Sequence, residues 1–519
     1  MKPTLEGRRQ QQSPQVLPDV LRIAANACGD RVKLVSGAER ISYAKIDLCS
    51  DRLASRLMVH NIRPGDRVII GLPNSAEFII ACFAVWKVRA VVVALDPCIR
   101  AANFRDIVEK IEPRALIAES RFAEKILETP SVLRFFRVFF LQDNCGGELA
   151  TGQIAVEPMQ SAFGNQADPS RIPVGAQPDE LATITFTSGS TNVPKGVMHT
   201  HESILACALF TQSYLKLAKT DVVMLPLPLH HVLAFRRFLT CFLAQCSLVL
   251  VRDIFITKQF SETRPTGLVL VPSACNILID NFAPFLRKEG GCLRYVEVGS
   301  EPISTEQLHA LQTILPNTQI HLTYGLTEGR VGYFTTGPNG AFDRLDHSNH
   351  GLKIEVVDGN GQPVTQGETG EILISGPGLF VGYWGDSIVE RNQIKVNGFR
   401  TSDLGIVDEN GRIRLIGRLD DIVNVGGHKI HPGEIEAVLQ RHPSVAEAVV
   451  IGCRDVKASL GSVLQAFVVL RKGFTVSDRE LLFHCREHLE LYKVPASISF
   501  RESFPKTALG KIQRSSVVN

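Results

Sequence analysis

The chain has 519 residues, 45% of them hydrophobic, and a formal net charge of +3. That length exceeds what one hydrophobic core serves, so at least two domains are expected. The near balance of charge and the lack of basic runs argue against nucleic acid or an anionic membrane surface as a partner.

The twelve cysteines are scattered without a C-x-x-C pair, which fits reduced core thiols in a cytoplasmic protein better than zinc ligands or a disulfide framework. The first eighteen residues are polar and do not read as a signal peptide. The most apolar window, Phe78 to Leu95, is interrupted by Lys87 and Arg89 and so reads as a helix and a strand, not a membrane span. From Val20 to Ile117 helical and β-rich runs alternate: a helix at Tyr43–Val59, a strand at Arg67–Gly71, a helix at Ala76–Val88, a strand at Ala90–Leu95 and a helix at Phe104–Ile111. Alternation of this length predicts a parallel sheet covered on both faces. Residues 144–180, rich in Gly, Gln, Pro and Asp, read as a loose connection.

The apolar run Leu181–Phe186 reads as a buried strand. It delivers the stretch Thr187-Ser-Gly-Ser-Thr-Asn-Val-Pro-Lys-Gly-Val197 as a loop at a strand end. By composition such a stretch is a solvated loop, yet four hydroxyls, two glycines and a lysine so close together suit a polyphosphate. It is not a Walker loop, because Lys195 precedes Gly196. Phe186 to Gly196 instead resembles the phosphate loop of the adenylate-forming superfamily, which comprises acyl- and aryl-CoA synthetases, nonribosomal peptide synthetase adenylation domains and luciferase. The departure is Asn192, where the family has glycine.

Further motifs of that family follow in order. Met224-Leu-Pro-Leu-Pro-Leu-His-His-Val-Leu-Ala-Phe235 resembles the segment that opens the helix lining the acid pocket, with His231 at the family's histidine. Val232 stands where amino-acid-activating relatives carry an aspartate, and no acidic residue occurs from Val222 to Arg252. A substrate ammonium would be left unpaired there, so an α-amino acid is not expected. Arg236 and Arg237 are expected to be solvated, or one of them to face a second polar group on the acid.

Gly299-Ser300-Glu301 resembles the turn beside adenine. His321-Leu-Thr-Tyr-Gly-Leu-Thr-Glu328 resembles Y-G-x-T-E, which implies that Tyr324 stacks on adenine beside Gly325, Thr327 meets the α-phosphate, and Glu328 holds Mg²⁺ together with Thr191. Gly329 and Arg330 are unusual at their positions. Gly370–Gly376 and Gly382-Tyr-Trp384 resemble scaffold elements of a small β subdomain. Phe399-Arg-Thr-Ser-Asp-Leu-Gly405 places Asp403 as the ribose acceptor, with Ser402 replacing a glycine. Arg418 is expected on ribose or phosphate and Asp420 at a hinge. Pro505-Lys-Thr-Ala-Leu-Gly-Lys-Ile-Gln-Arg514 makes Lys511 the counterpart of the family's catalytic lysine.

The resemblance implies an α/β fold. Residues 1–419 would form a large N-terminal ATP- and acid-binding domain of parallel α/β sheets plus a small β subdomain, and residues 420–519 a small mobile α+β domain. In that domain helices at Gly433–Arg441 and after Ser477-Asp-Arg-Glu480, a capping-box pattern, would flank strands at Ala446–Ile451 and Leu464–Leu470. The activity implied is a two-step ligation through an acyl-adenylate. Thr187, Ser188, Gly189, Ser190, Thr191 and Lys195 would hold phosphates, and His231, Val232, Phe235, Arg236, Thr323, Arg330, Val331 and Gly332 would border the acid. The acceptor would be CoA, the phosphopantetheine of a separate carrier protein, or an amine. A non-catalytic nucleotide binder is the third reading, and a homodimer would be unsurprising.

Overall fold

The computed structural model describes residues 13–127, 129–143, 154–164, 172, 175–187, 194–252, 257–300, 303, 305–335, 344–346, 353–421, 423–425, 428–430, 432–454, 462–506 and 512–517. Two large sheets organise it. The first has seven strands in the order Ala155–Pro158, Val138–Leu141, Ala115–Ala118, Arg67–Gly71, Val91–Ala94, Leu181–Thr187 and Lys195–Thr200. All neighbours are parallel except the last two, which form an antiparallel hairpin. The loose connection read at residues 144–180 thus contains an edge strand and a helix, Met159–Gly164.

The second sheet has thirteen strands. Its parallel half runs from Val32–Ser36 through Ser247–Leu250, Val222–Leu225, Gly267–Leu270 and Tyr295–Val298 to Gln319–Gly325. At Gln319–Gly325 pairing turns antiparallel and continues through Arg330–Thr335 and Arg344–Asp346 into Ile413–Arg418, Phe399–Val407, Thr369–Ser375 and Lys353–Val357. The small β subdomain of the sequence reading is therefore hydrogen-bonded edge-on to the large parallel sheet.

Serine and threonine set the helix starts. Ser42, Ser75, Thr200 and Ser477 each accept the backbone N–H three residues on, satisfying one of the amides that a helix N-terminus leaves open. Helix Ala76–Lys87 is buried from Phe78 to Trp86, and the Trp86 indole donates to the Ala182 carbonyl at 2.9 Å. A helix apolar all round belongs inside, and this one packs in the main core with helices Leu17–Cys28, Tyr43–Val59 and Val232–Ala244. Toward the C-terminus a three-stranded sheet, Val445–Arg454, Ser462–Leu470 and Ser497–Arg501, carries helices Pro432–Gln440 and Asp478–His488 over a core of its own. No helix among the described residues is long and apolar enough to cross a membrane.

Candidate active site

Residues 188–193, Glu301 and Lys511 lie outside the described residues, and with them Ser188, Gly189, Ser190, Thr191 and Asn192. What flanks the loop is nevertheless informative. Thr187 pairs with Lys195 across the hairpin, so the loop closes a β-hairpin, and Lys195 begins the return strand where a loop position was expected. Beside that strand runs the segment 381–384: Trp384 N donates to Gly196 O at 2.7 Å, Met198 N to Gly382 O at 3.0 Å and Val381 N to Met198 O at 2.9 Å. Lys195 Nζ sits 5.4 Å from the Tyr383 ring centroid.

Tyr383 adds a contact with the candidate site to the Gly382-Tyr-Trp384 element read as scaffold. Its hydroxyl donates to Glu328 Oε1 at 2.8 Å, and burial, followed by the carboxylate beside it, holds that hydroxyl well above its ordinary range, so it remains a donor. Strand pairing of the 381–384 segment was the missing signal, and local sequence does not carry it. Glu328 makes no ion pair with Lys or Arg among the described residues. A half-buried carboxylate held by a neutral phenol, with one oxygen unengaged among the described residues, fits a hard divalent cation.

Thr327 and Glu328 form the tip of a tight turn between strands Gln319–Gly325 and Arg330–Thr335, closed by Leu326 N to Gly329 O at 2.8 Å and Gly329 N to Leu326 O at 3.3 Å. At the base of this turn the Tyr324 hydroxyl donates to Asp403 Oδ2, and Arg418 Nη1 reaches Asp403 Oδ1 at 3.2 Å. Asp403 and Arg418 face one another as register partners of adjacent strands. Ser402 adopts φ 60°, so the glycine-like backbone is kept by a serine, whose N–H donates to Glu371 Oε1 at 3.0 Å.

At the acid side, Gly299 lies so near Thr323 that an added Cβ would meet Thr323 Cγ2 at 2.2 Å and Leu233 Cδ2 at 3.4 Å. His231 is the N-cap residue of helix Val232–Ala244 but makes no side-chain cap bond. Its Nε2 is buried and has no hydrogen-bond partner among the described residues, and burial, with His230 adjacent, lowers its pKa to about 3. A neutral ring with an open polar atom is available to a ligand.

Val232 is half-buried at the helix start and Gly332 is buried opposite Tyr324; only the backbone of Arg330 and Val331 is described. Two expected pocket residues turn elsewhere. Phe235 is 5% exposed and packs edge-on against Trp86 and Phe238 in the core. Arg236 and Arg237 are both buried, not solvated: Arg236 bonds to the Leu326 and Thr327 carbonyls, and Arg237 ion-pairs with fully buried Glu297.

Comparison with known proteins agrees with this geometry. Residues 21–384 match the model of the AMP-binding enzyme family, and residues 434–511 match that of the AMP-binding enzyme C-terminal domain. The chain belongs to the AMP-binding enzyme family. It is 28% identical to a probable CoA ligase of Humulus lupulus, over 96% of this chain and 95% of that protein. It is 27% identical to the oxalate–CoA ligase of Arabidopsis thaliana, with 96% and 97% covered. Among solved structures, ATP-bound MatB from Rhodopseudomonas palustris superposes with a TM-score of 0.84 at 23% identity, covering 96% of this chain and 97% of that one.

Proposed function

We propose that the chain is an AMP-forming acid–thiol ligase. A carboxylate oxygen attacks the α-phosphorus of Mg·ATP, the bond to pyrophosphate breaks, and the resulting acyl-adenylate passes its acyl group to the thiol of CoA with release of AMP. The observation that carries the reading is the nucleotide cluster. Tyr324, Asp403 and Arg418 are linked by hydrogen bonds at the foot of the turn whose tip is Thr327 and Glu328, which supports reading these residues as ligands of base, ribose, α-phosphate and metal.

Each residue's part follows from its chemistry. Asp403 offers acceptor oxygens for the ribose hydroxyls. Lys195, at the mouth of the phosphate loop, and Lys511 from the C-terminal part supply positive charge where the phosphates gather negative charge. A Mg²⁺ held by Glu328 would share that load. In-line substitution at phosphorus asks mainly for positioning and electrostatics. The hinge role of Asp420, with a boundary near residue 419, would let the C-terminal part withdraw Lys511 before the thiol enters.

For the acid, the lack of any carboxylate from Val222 to Arg252 argues against an ammonium group, and Leu233, Gly299, Thr323 and His231 would border the acid in mostly apolar surroundings. The curated relatives named above are CoA ligases, which supports CoA as acceptor over an amine; a carrier-bound phosphopantetheine offers the same thiol chemistry. The test is pyrophosphate release from Mg·ATP over a panel of carboxylic acids, each with no acceptor, with CoA and with amines. Release with one acid class and consumption of CoA is expected. Turnover that requires an amine would sink the thiol reading, and no release with any acid would sink the ligase reading.

A further inference from the structure

The turn that carries Thr327 and Glu328 is held from outside by side chains that the family motifs do not contain. Its closing bonds join Leu326 and Gly329 and leave the carbonyls of the two tip residues unsatisfied within the turn. Both carbonyls find donors. Glu328 O accepts from Phe380 N at 2.7 Å. Thr327 O accepts from His199 Nε2 at 2.7 Å and from Arg236 Nη2 at 3.0 Å, while Arg236 Nη1 reaches Leu326 O at 3.2 Å. His199 comes from strand Lys195–Thr200, which follows the phosphate loop in the chain, and Arg236 from the second turn of helix Val232–Ala244, so that strand, the acid-side helix and the metal-side turn meet at one carbonyl oxygen.

The chemistry of the contact is well defined. A nitrogen 2.7 Å from a carbonyl oxygen must carry the hydrogen, so the neutral His199 ring is protonated on Nε2, and Nδ1 lies 3.2 Å from Ser203 Oγ. Burial first, then the Arg236 charge, lowers the His199 pKa to about 3, which keeps the ring a single, fixed donor. The Arg236 side chain is 5% exposed and His199 is 2% exposed. Burying a guanidinium carries a desolvation penalty, and here its planar fork puts two separate nitrogens on two successive carbonyls, a fixed spacing that the single nitrogen of a lysine does not reproduce.

We propose that Arg236 and His199 act as positioning residues for adenylate formation: together they clamp the Thr327 carbonyl and so fix where the Thr327 hydroxyl and the Glu328 carboxylate stand before Mg·ATP arrives. The inference rests on the proposed function for what the turn binds. It replaces the expectation that Arg236 faces the acid. Sub-ångström placement of phosphate and metal ligands is what such chemistry demands, and a two-residue turn without external bonds would sample several positions.

The test uses the full-length chain with Arg236→Met, Arg236→Lys, His199→Leu and His199→Gln. Two readouts are taken: the extra rise in melting temperature that Mg²⁺ adds to ATP alone, and the two half-reactions measured separately, adenylate formation and thiolysis of supplied acyl-adenylate. Arg236→Met and His199→Leu are each expected to lower kcat/KM for Mg·ATP about tenfold or more, the effect of removing one of the donors that hold a part-buried carbonyl. They should shrink the Mg²⁺ increment and change the KM for the acid much less. His199→Gln, which keeps a donor near the Nε2 position, should recover much of the loss, whereas Arg236→Lys, with no fork, should recover little.

A folded Arg236→Met protein with wild-type kcat/KM and Mg²⁺ increment would overturn the clamp. So would equal loss in both half-reactions with an unchanged Mg²⁺ increment, since that is the signature of general damage. Should Arg236→Met fail to fold, the contrast between His199→Leu and His199→Gln decides. Lack of pyrophosphate release by the wild-type chain would count against the ligase reading, and the melting comparison with ATP and Mg²⁺ would still decide the clamp.

Discussion

Ser402 shows what a single backbone angle contributes at a site. With φ 60° it holds the left-handed conformation, which costs an L-residue about 1–2 kcal/mol, and the next residue is Asp403. The sequence comparison raised the loss of a glycine here as a question about backbone shape; the serine keeps the shape and bears the strain, offset in part by its N–H bond to Glu371. Ser402→Gly should therefore stabilise the protein by about 0.5–1 kcal/mol once glycine's extra unfolded-state entropy is subtracted, read as a higher denaturation midpoint. A lower midpoint would show that the hydroxyl does more than the angle costs. Lys511 makes a prediction of another kind, because its role is inferred from motif order alone. Lys511→Ala should slow adenylate formation by about 10²-fold or more while thiolysis of supplied acyl-adenylate continues. Equal slowing of both steps would remove Lys511 from the first.

Elements differ in how far they could be read, and helix Val232–Ala244 marks the limit. Helix Tyr43–Val59 and strand Arg67–Gly71 have the ends the sequence predicts, because Ser42 caps the first and a short β-rich run between turn residues defines the second. The capping pattern at Ser477 likewise starts a helix. Helix Val232–Ala244 is buried from Ala234 to Phe242, so periodicity cannot say which face meets the acid; Phe235 and Arg236 were assigned to the pocket on family position alone, and the fold turns them to the core and to the turn. Arg237 could be placed by no local pattern, since its partner Glu297 is sixty residues away. That carboxylate also accepts from the Tyr333 hydroxyl at 3.1 Å, tying the helix to strands Tyr295–Val298 and Arg330–Thr335 behind the site. Removing one member of a fully buried pair strands the other charge. Glu297→Leu should cost about 3–5 kcal/mol in chemical unfolding, and adding Arg237→Met should restore much of it. A mild effect of Glu297→Leu alone would mean that water reaches the guanidinium.

Long-range pairing decides the architecture of the whole molecule and is the part least visible in one sequence. The α/β class and the separate C-terminal core followed from alternation and patterning, whereas the hairpin closing the phosphate loop and the run of one sheet from its parallel into its antiparallel half depend on partners far apart in the chain. The same burial that joins these parts leaves a signature in acid. His199 and His201 are 2% and 1% exposed, and burial lowers their pKa values to about 3 and about 4. In the unfolded chain both titrate near their ordinary value, about 6.5. Below that pH the unfolded state binds protons that the native state refuses, so stability must fall as pH drops, by up to about 1.4 kcal/mol per pH unit for each such histidine. His230, His231 and His321, also lowered by burial, act in the same direction. Carboxylates with lowered pKa values, such as Glu157 against Arg56 and His60, lose their contribution only below their ordinary range, and Glu436, which burial raises, acts in the opposite direction, so the histidines outnumber their opposition from pH 7 to pH 5. Denaturation midpoints should fall across that interval with a slope that steepens toward pH 5, with net proton uptake on unfolding, and His201→Asn should flatten the slope, by close to one proton at about pH 5 and by much less at pH 7. A midpoint independent of pH over that interval would mean that these rings are protonated in the native state, and a charged His199 would change the contact on which the Thr327 turn depends.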